Sequence, residues 1–181
     1  MGEGNLDDCL SWLILCRGLI IDIRNNTGGD LIYAERFAGR FAHEKTLVGY
    51  MQHKTGTGHH DFSDLEPRYL EPSSNLRWHK PVCVLTNRSV FSAANDFAVM
   101  MHALPNVRLV GDHTGGGSGL PMSSSLPNGW TVRYSACPMY DAQRQHTEFG
   151  IDPDVAVNLT DASTTQGIDD IIEAARKLLT E

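Results

Sequence analysis

PVCVLTNRSVFSAANDFAVMMHALPNVRLVG, residues 81–111, reads as strand, turn, helix and strand in immediate succession. PVCVLT (81–86) is a short apolar run opened by a proline, the signature of a strand. A helix is expected from about Ser92 to Leu104, and VRLVG (107–111) is the next strand. Upstream, GLIIDI (18–23) reads as a buried strand that ends in RNNTGGD (24–30), a turn rich in residues that tolerate left-handed backbone. A helix then runs through LIYAERFAGRFAHE (31–44), with Ile32, Phe37 and Phe41 as core positions, and TLVGYMQH (46–53) is a further strand. Strands alternating with helices define an α/β domain.

The ends of the chain follow the same logic. Asn5 is placed as the cap of a first helix carrying Leu6, Leu10, Leu13 and Ile14 at helical spacing, which Gly18 ends. A terminal helix is expected from Thr165, with Ile168, Ile171, Ile172, Ala175 and Leu178 on its apolar face. Pro127-Asn128-Gly129 between two strands is a strong hairpin signal, and VAV (155–157) is a short last strand. From Lys54 to Lys80, glycines, prolines and paired serines break every period, so residues 54–80 read as an exposed loop or lid. No internal repeat is visible.

Composition bounds the function. The chain has 181 residues, 41% of them hydrophobic, which suits a single domain over residues 1–181 with a real core. A formal charge of -7 argues against a nucleic-acid partner, which needs a basic stripe. No run of eighteen apolar residues is present, so no membrane-spanning segment is expected. The first residues, MGEGNLDDCLSW, lack the layout of a secretory signal, and the sequence reads as an excised piece of a longer chain. Cys9 and Cys16 lie about 10 Å apart if helical, too far for a disulfide. All four cysteines (with Cys83 and Cys137) are read as small core residues. Nothing in the sequence speaks to oligomeric state.

Several places can carry chemistry. Ser92 stands where a strand gives way to a helix, next to the unpaired N–H groups and partial positive charge of the helix start. It is either a nucleophile with an oxyanion donor beside it, the N–H of Ala93, or simply an N-cap. Gly28 and Gly29 follow a strand and can aim N–H groups into a cleft, or can form a plain turn. HTGGGSG (113–119) approaches the spacing of a phosphate loop, but Gly117 stands where the lysine belongs and Pro121 obstructs the helix, so nucleotide binding is rejected. Gly115, Gly116 and Gly117 are read instead as a wall that lets a peptide backbone approach. Glu148 can orient a catalytic group or be merely solvated. His53, His59, His60 and Asp61 match no common zinc spacing, so no metal and no cofactor are expected.

Taken together, GLIIDIRNNTGGD, PVCVLTNRSVFSAANDFA, and LVGDHTGGGSG with EFGIDPDVAV resemble the tail-specific peptidase family (serine peptidase family 41). The resemblance implies a crotonase-like repeated β-β-α core. It places Ser92 at the nucleophile, Ala93 and Gly28 or Gly29 at the oxyanion site, and Glu148 at the glutamate of the tricorn-like branch. The general-base lysine of the other branch aligns with Gly117, which excludes a Ser–Lys dyad. The tricorn-like branch uses a histidine on a strand upstream of anything in this sequence. The base is therefore expected in a missing N-terminal segment, with His113, His53, His59 and His60 as local substitutes.

The resemblance implies a serine endopeptidase acting on peptides or proteins near their C-termini, in the bacterial cell envelope. A non-catalytic peptide-binding module on the same scaffold and crotonase-type acyl-thioester chemistry are the alternatives.

Overall fold

The computed structural model describes residues 3–181. Its centre is a parallel sheet of β1 (Leu19–Asp22), β4 (Val82–Thr86), β5 (Val107–Gly111) and β9 (Val155–Ala156), in the order β1-β4-β5-β9. Parallel neighbours need crossovers, and helices provide them. β4 reaches β5 through α3 (Ala93–His102). β1 reaches β4 through α2 (Leu31–Ala38), β2 (Thr46–Met51) and β3 (Glu66–Leu70).

Side-chain alternation along β4 splits the core in two. Val82 and Val84 face a cluster with Phe97, Ala98 and Met101 of α3, whereas Cys83 and Leu85 face Ile171 and Ala175 of α5 (Asp170–Leu178). A strand covered on both faces is apolar along nearly its whole length, as β4 is from Val82 to Leu85. Each fully buried Val or Leu contributes roughly 1.5–3 kcal/mol. α3 is itself buried from Ala93 to Met101, so it is a core helix rather than an amphipathic surface one. α2 packs on it through the parallel rings of Phe37 and Phe97, 5.2 Å apart.

β3, β2 and β8 (Met139–Asp141) form a separate antiparallel sheet. β6 (Pro121–Ser125) and β7 (Thr131–Ser135) form a two-stranded ribbon closed at Pro127-Asn128-Gly129, and all ten of its strand positions are exposed. α1 (Glu3–Trp12) and the short α4 (Asp161–Thr165) complete the described elements. No described helix is long and apolar enough to cross a membrane.

Several expectations need correction. Residues 54–80 are not a free loop or lid: β3 lies within them, and Trp78 is buried, its backbone N–H donating to Arg40 O. Pro67 hid the strand, but β3 is an edge strand of its sheet, where a missing N–H costs little. β1 is half-buried, not buried, because it is the outermost strand of its sheet. Asn5 lies inside α1 rather than capping it, and that helix ends at Trp12, well before Gly18. Ile32 is exposed, facing away from the Phe37 side of α2. The last helix starts at Asp170, where Asp169 caps it, so Thr165 closes α4 and Ile168 stays exposed. Of the cysteines only Cys83 is buried; Cys9 and Cys16 are exposed, and Cys137 is half-buried.

Candidate active site

Ser92 occupies the sharp turn between β4 and α3 with φ 56° and ψ -128°, a conformation a residue with a side chain rarely adopts. Holding it there costs about 1–3 kcal/mol. Its side chain makes no capping bond, so an ordinary N-cap role is not what the geometry serves. The strain is fixed from three sides. Ser92 N–H donates to Gly116 O at 2.7 Å, Asp96 N–H donates to Ser92 O at 3.0 Å, and Phe91 N–H donates to Asn26 O at 3.1 Å.

The 24–30 turn is fastened against this corner. Asn25, itself at φ 63°, exchanges two bonds with Asn87: its N–H donates to Asn87 Oδ1 at 3.1 Å, and Asn87 Nδ2 donates to Asn25 Oδ1 at 3.0 Å. Gly28 sits at φ 103°, and a Cβ there would lie 2.7 Å from Ser92 Cβ and 2.6 Å from Phe91 O. Only glycine allows that approach. The Gly28 N–H is already committed, donating to Asn26 Oδ1 at 2.9 Å. Those of Gly29 and Ala93 donate to no described group. Both residues line one cleft of about 500 Å³ with Ser92, Asp96, Gly117 and Arg133.

The 113–119 loop braces the corner from behind. Gly115 N–H donates to Val90 O at 2.7 Å and Gly117 N–H to Glu148 O at 2.8 Å. A Cβ at Gly116 would fall 2.1 Å from Glu148 O and one at Gly115 2.4 Å from Arg88 O, so these two pack against the protein's own backbone, whereas a Cβ at Gly117 would meet the Phe91 ring. Of Gly115, Gly116 and Gly117, only Gly117 lines the cleft. Glu148 is thereby joined to Ser92 by two successive backbone bonds through Gly116 and Gly117. Its Oε1 accepts from Ser135 Oγ at 2.6 Å, while its buried Oε2 has no partner within the described residues.

A buried polar network escaped the sequence reading. Asn95 Nδ2 donates to Ser118 Oγ at 2.8 Å, and Thr114 Oγ1 donates to Asn95 Oδ1 at 2.6 Å, locking α3 to the glycine loop. Asp96 is buried beside them, 3.3 Å from Arg68 Nη1. Burial raises its pKa, and the guanidinium only partly offsets that. The available signal was Asn95-Asp96 inside an otherwise apolar helix.

The local histidines do not reach the cleft. His113 has both ring nitrogens engaged, Nδ1 with Asp152 Oδ1 at 2.6 Å and Nε2 with Phe149 O at 2.8 Å. Burial disfavours its charged form, but those bonds outweigh burial and raise its pKa. His53 lies between Cys137 Sγ and Glu66, and His59 packs edge-on against His60. Among the described residues no three His, Cys, Asp or Glu side chains converge as a metal site would require. On the other side of Gly29 and Ala93 lies a recess of about 340 Å³, walled by Ile23, Tyr33, Ala34, Phe37 and Phe97.

A strained serine at a strand-to-helix corner, sharing a cleft with two N–H groups that donate to no described group, is an arrangement found in serine hydrolases. The chain belongs to peptidase family S41, whose family model matches residues 2–157, and the family is one of serine peptidases. It is 26% identical over 147 residues to the carboxy-terminal processing protease CtpA of Bacillus subtilis, covering 80% of this chain and 29% of that protein. A crystal structure from Parabacteroides merdae superposes with TM-score 0.96 at 55% identity, covering all of this chain and 57% of the other. A lipoprotein from Streptococcus agalactiae shares the fold, with TM-score 0.61 at 19% identity, over 96% of this chain and 60% of that one. The chain thus spans less than a third of CtpA and little more than half of the Parabacteroides structure.

Proposed function

We propose that Ser92 is the nucleophile of a serine peptidase that cleaves proteins or peptides near their C-termini. One observation carries this reading: the Ser92 side chain makes no cap bond, and it lines one cleft with Gly29 and Ala93, whose N–H groups donate to no described group. Ser92 Oγ adds to the scissile carbonyl as its proton passes to a base, and the carbonyl oxygen becomes an oxyanion held by those N–H groups. The C–N bond then breaks, the amine leaves with that proton, and water hydrolyses the acyl-enzyme. Gly29 is preferred to Gly28 as donor because the Gly28 N–H is already spent on Asn26. The buried, unpartnered Glu148 Oε2 suits a carboxylate that orients the base.

Among the described residues no imidazole or amine lines the cleft. The base is accordingly assigned to polypeptide outside these 181 residues, in keeping with the greater length of the relatives. The same observation favours a second reading, a module that binds peptides without cutting them. The kinship with CtpA supports C-terminal processing, and that with a lipoprotein supports a place in the bacterial cell envelope.

Intact-mass analysis after treatment with a fluorophosphonate tests the assignment. The whole protein is expected to gain one adduct that Ser92→Ala lacks, and this chain alone to label far more slowly. An adduct that persists in Ser92→Ala would overturn it.

A further inference from the structure

We propose that Arg133 is a carboxylate receptor in the wall of the Ser92 cleft, which gives the enzyme a preference for substrates carrying an anion close to the scissile bond. This rests on the reading of Ser92 as nucleophile. Along β7, alternate side chains face opposite sides, so Thr131, Arg133 and Ser135 share one face of the ribbon. Ser135 donates to Glu148 from that face, and Pro121, its partner across the ribbon, lines the cleft beside Arg133. Tyr134, Val132 and Met122 occupy the opposite, outer face and are exposed.

The charges lining the cleft are unequally occupied. Asp30 accepts the Ile32 N–H at 3.0 Å as the cap of α2, and Asp96 is held by Arg68. Arg133 is the cation among the described lining residues, and it makes no ion pair with any described residue. Its partner across the ribbon is Ser123, small and uncharged, which leaves the guanidinium uncovered. An exposed guanidinium facing a substrate channel matches the two oxygens of a carboxylate, and the bidentate pair is both directional and strong. That carboxylate belongs either to the C-terminus of the substrate or to an acidic side chain within it.

Two measurements test the proposal in the whole protein. In the first, a tryptic bacterial peptide library is digested and the best-cleaved peptide is resynthesised as acid, as C-terminal amide, and with its acidic side chains amidated. Removing the relevant carboxylate is expected to lower kcat/KM about tenfold to a hundredfold in the wild type. In Arg133→Gln that ratio is expected to fall to about one, because one partner of the charge-assisted pair is gone. Arg176→Gln, on the distant α5, is expected to keep the wild-type ratio. Which replacement matters distinguishes terminus from side chain.

In the second, fluorescein-labelled penta-alanine is titrated as acid, as amide, and as amide with one glutamate, followed by anisotropy. Ser92→Ala is expected to prefer an acid form, and Ser92→Ala with Arg133→Gln to show no preference. Equal ratios in wild type and Arg133→Gln, or no preference for an acid in Ser92→Ala, overturn the proposal. A preference that depends on Arg133, found where Ser92→Ala leaves hydrolysis intact, sinks the nucleophile assignment and leaves the receptor standing.

Discussion

A side chain at Gly28 would begin 2.7 Å from the Cβ of Ser92, closer than two carbons ever pack. The two corners, one after β1 and one after β4, therefore fit together only because one of them has no side chain. Gly28→Ala adds that overlap to an unfavourable φ of 103°, and the corner must open. Fluorophosphonate labelling of Ser92 is expected to slow by about a hundredfold, with a stability loss of roughly 1–3 kcal/mol. Labelling at the wild-type rate would show that the close approach is incidental.

Asn87 is the staple between the same corners. Asn87→Ala removes the acceptor for two N–H groups, Asn25 and Ser89, and the donor to Asn25 Oδ1. The expected cost is about 1–3 kcal/mol of stability. Labelling should slow more than a global loss of that size explains, because the Gly29 N–H drifts from Ser92. A thermal-shift measurement beside the labelling rate separates the two effects, and a fall in melting temperature with unchanged labelling would contradict the staple.

Glu148→Gln keeps an acceptor for Ser135 Oγ and removes only the charge. In the whole protein kcat is expected to drop about tenfold to a thousandfold, with KM and melting temperature little changed. An unaltered kcat would leave Glu148 a structural anchor for Ser135 of the ribbon.

The acid limb of the stability curve belongs to Asp22 and Asp169, which hold Arg24 at 2.7 and 2.8 Å. The Arg24 side-chain bond lowers the pKa of Asp22. For Asp169 burial works upward but is outweighed by its cap bonds to Ile172 and Ile171 and by Arg24. Depressed carboxylate pKa values add stability above the ordinary value of 3.8, and that stability is withdrawn as pH falls through the folded values. Melting temperatures from pH 7 down to 2 should therefore fall more steeply below about pH 4 for the wild type than for Arg24→Gln. Parallel curves would show that the cluster contributes nothing measurable.

What the sequence made legible was local and repetitive. PVCVLT announced β4, and α3 and β5 followed it. Pro127-Asn128-Gly129 announced the ribbon, and Ser92 stood out because strand meets helix there. What stayed hidden depended on distant partners. β3 disappeared behind Pro67, which is tolerable only on an edge that pairing alone defines. Whether Gly28 or Gly29 has a free N–H depended on where the Asn26 side chain turned. Asp96, Ser118 and Thr114 lie far apart or on different elements until α3 docks on the glycine loop. Glycine content suggested a substrate wall at Gly115 and Gly116, whereas their neighbours are backbone atoms of the same chain.

The ribbon of β6 and β7 divides the molecule's evolutionary liberties. Ser92 stands at the start of a helix buried from Ala93 to Met101, so almost any change near it is taxed by the core. All ten strand positions of the ribbon are exposed, and substitutions at such positions cost little stability. Under the proposal for Arg133, substrate preference can therefore be redrawn on this hairpin at little cost to the core, so long as Ser135 keeps its hold on Glu148.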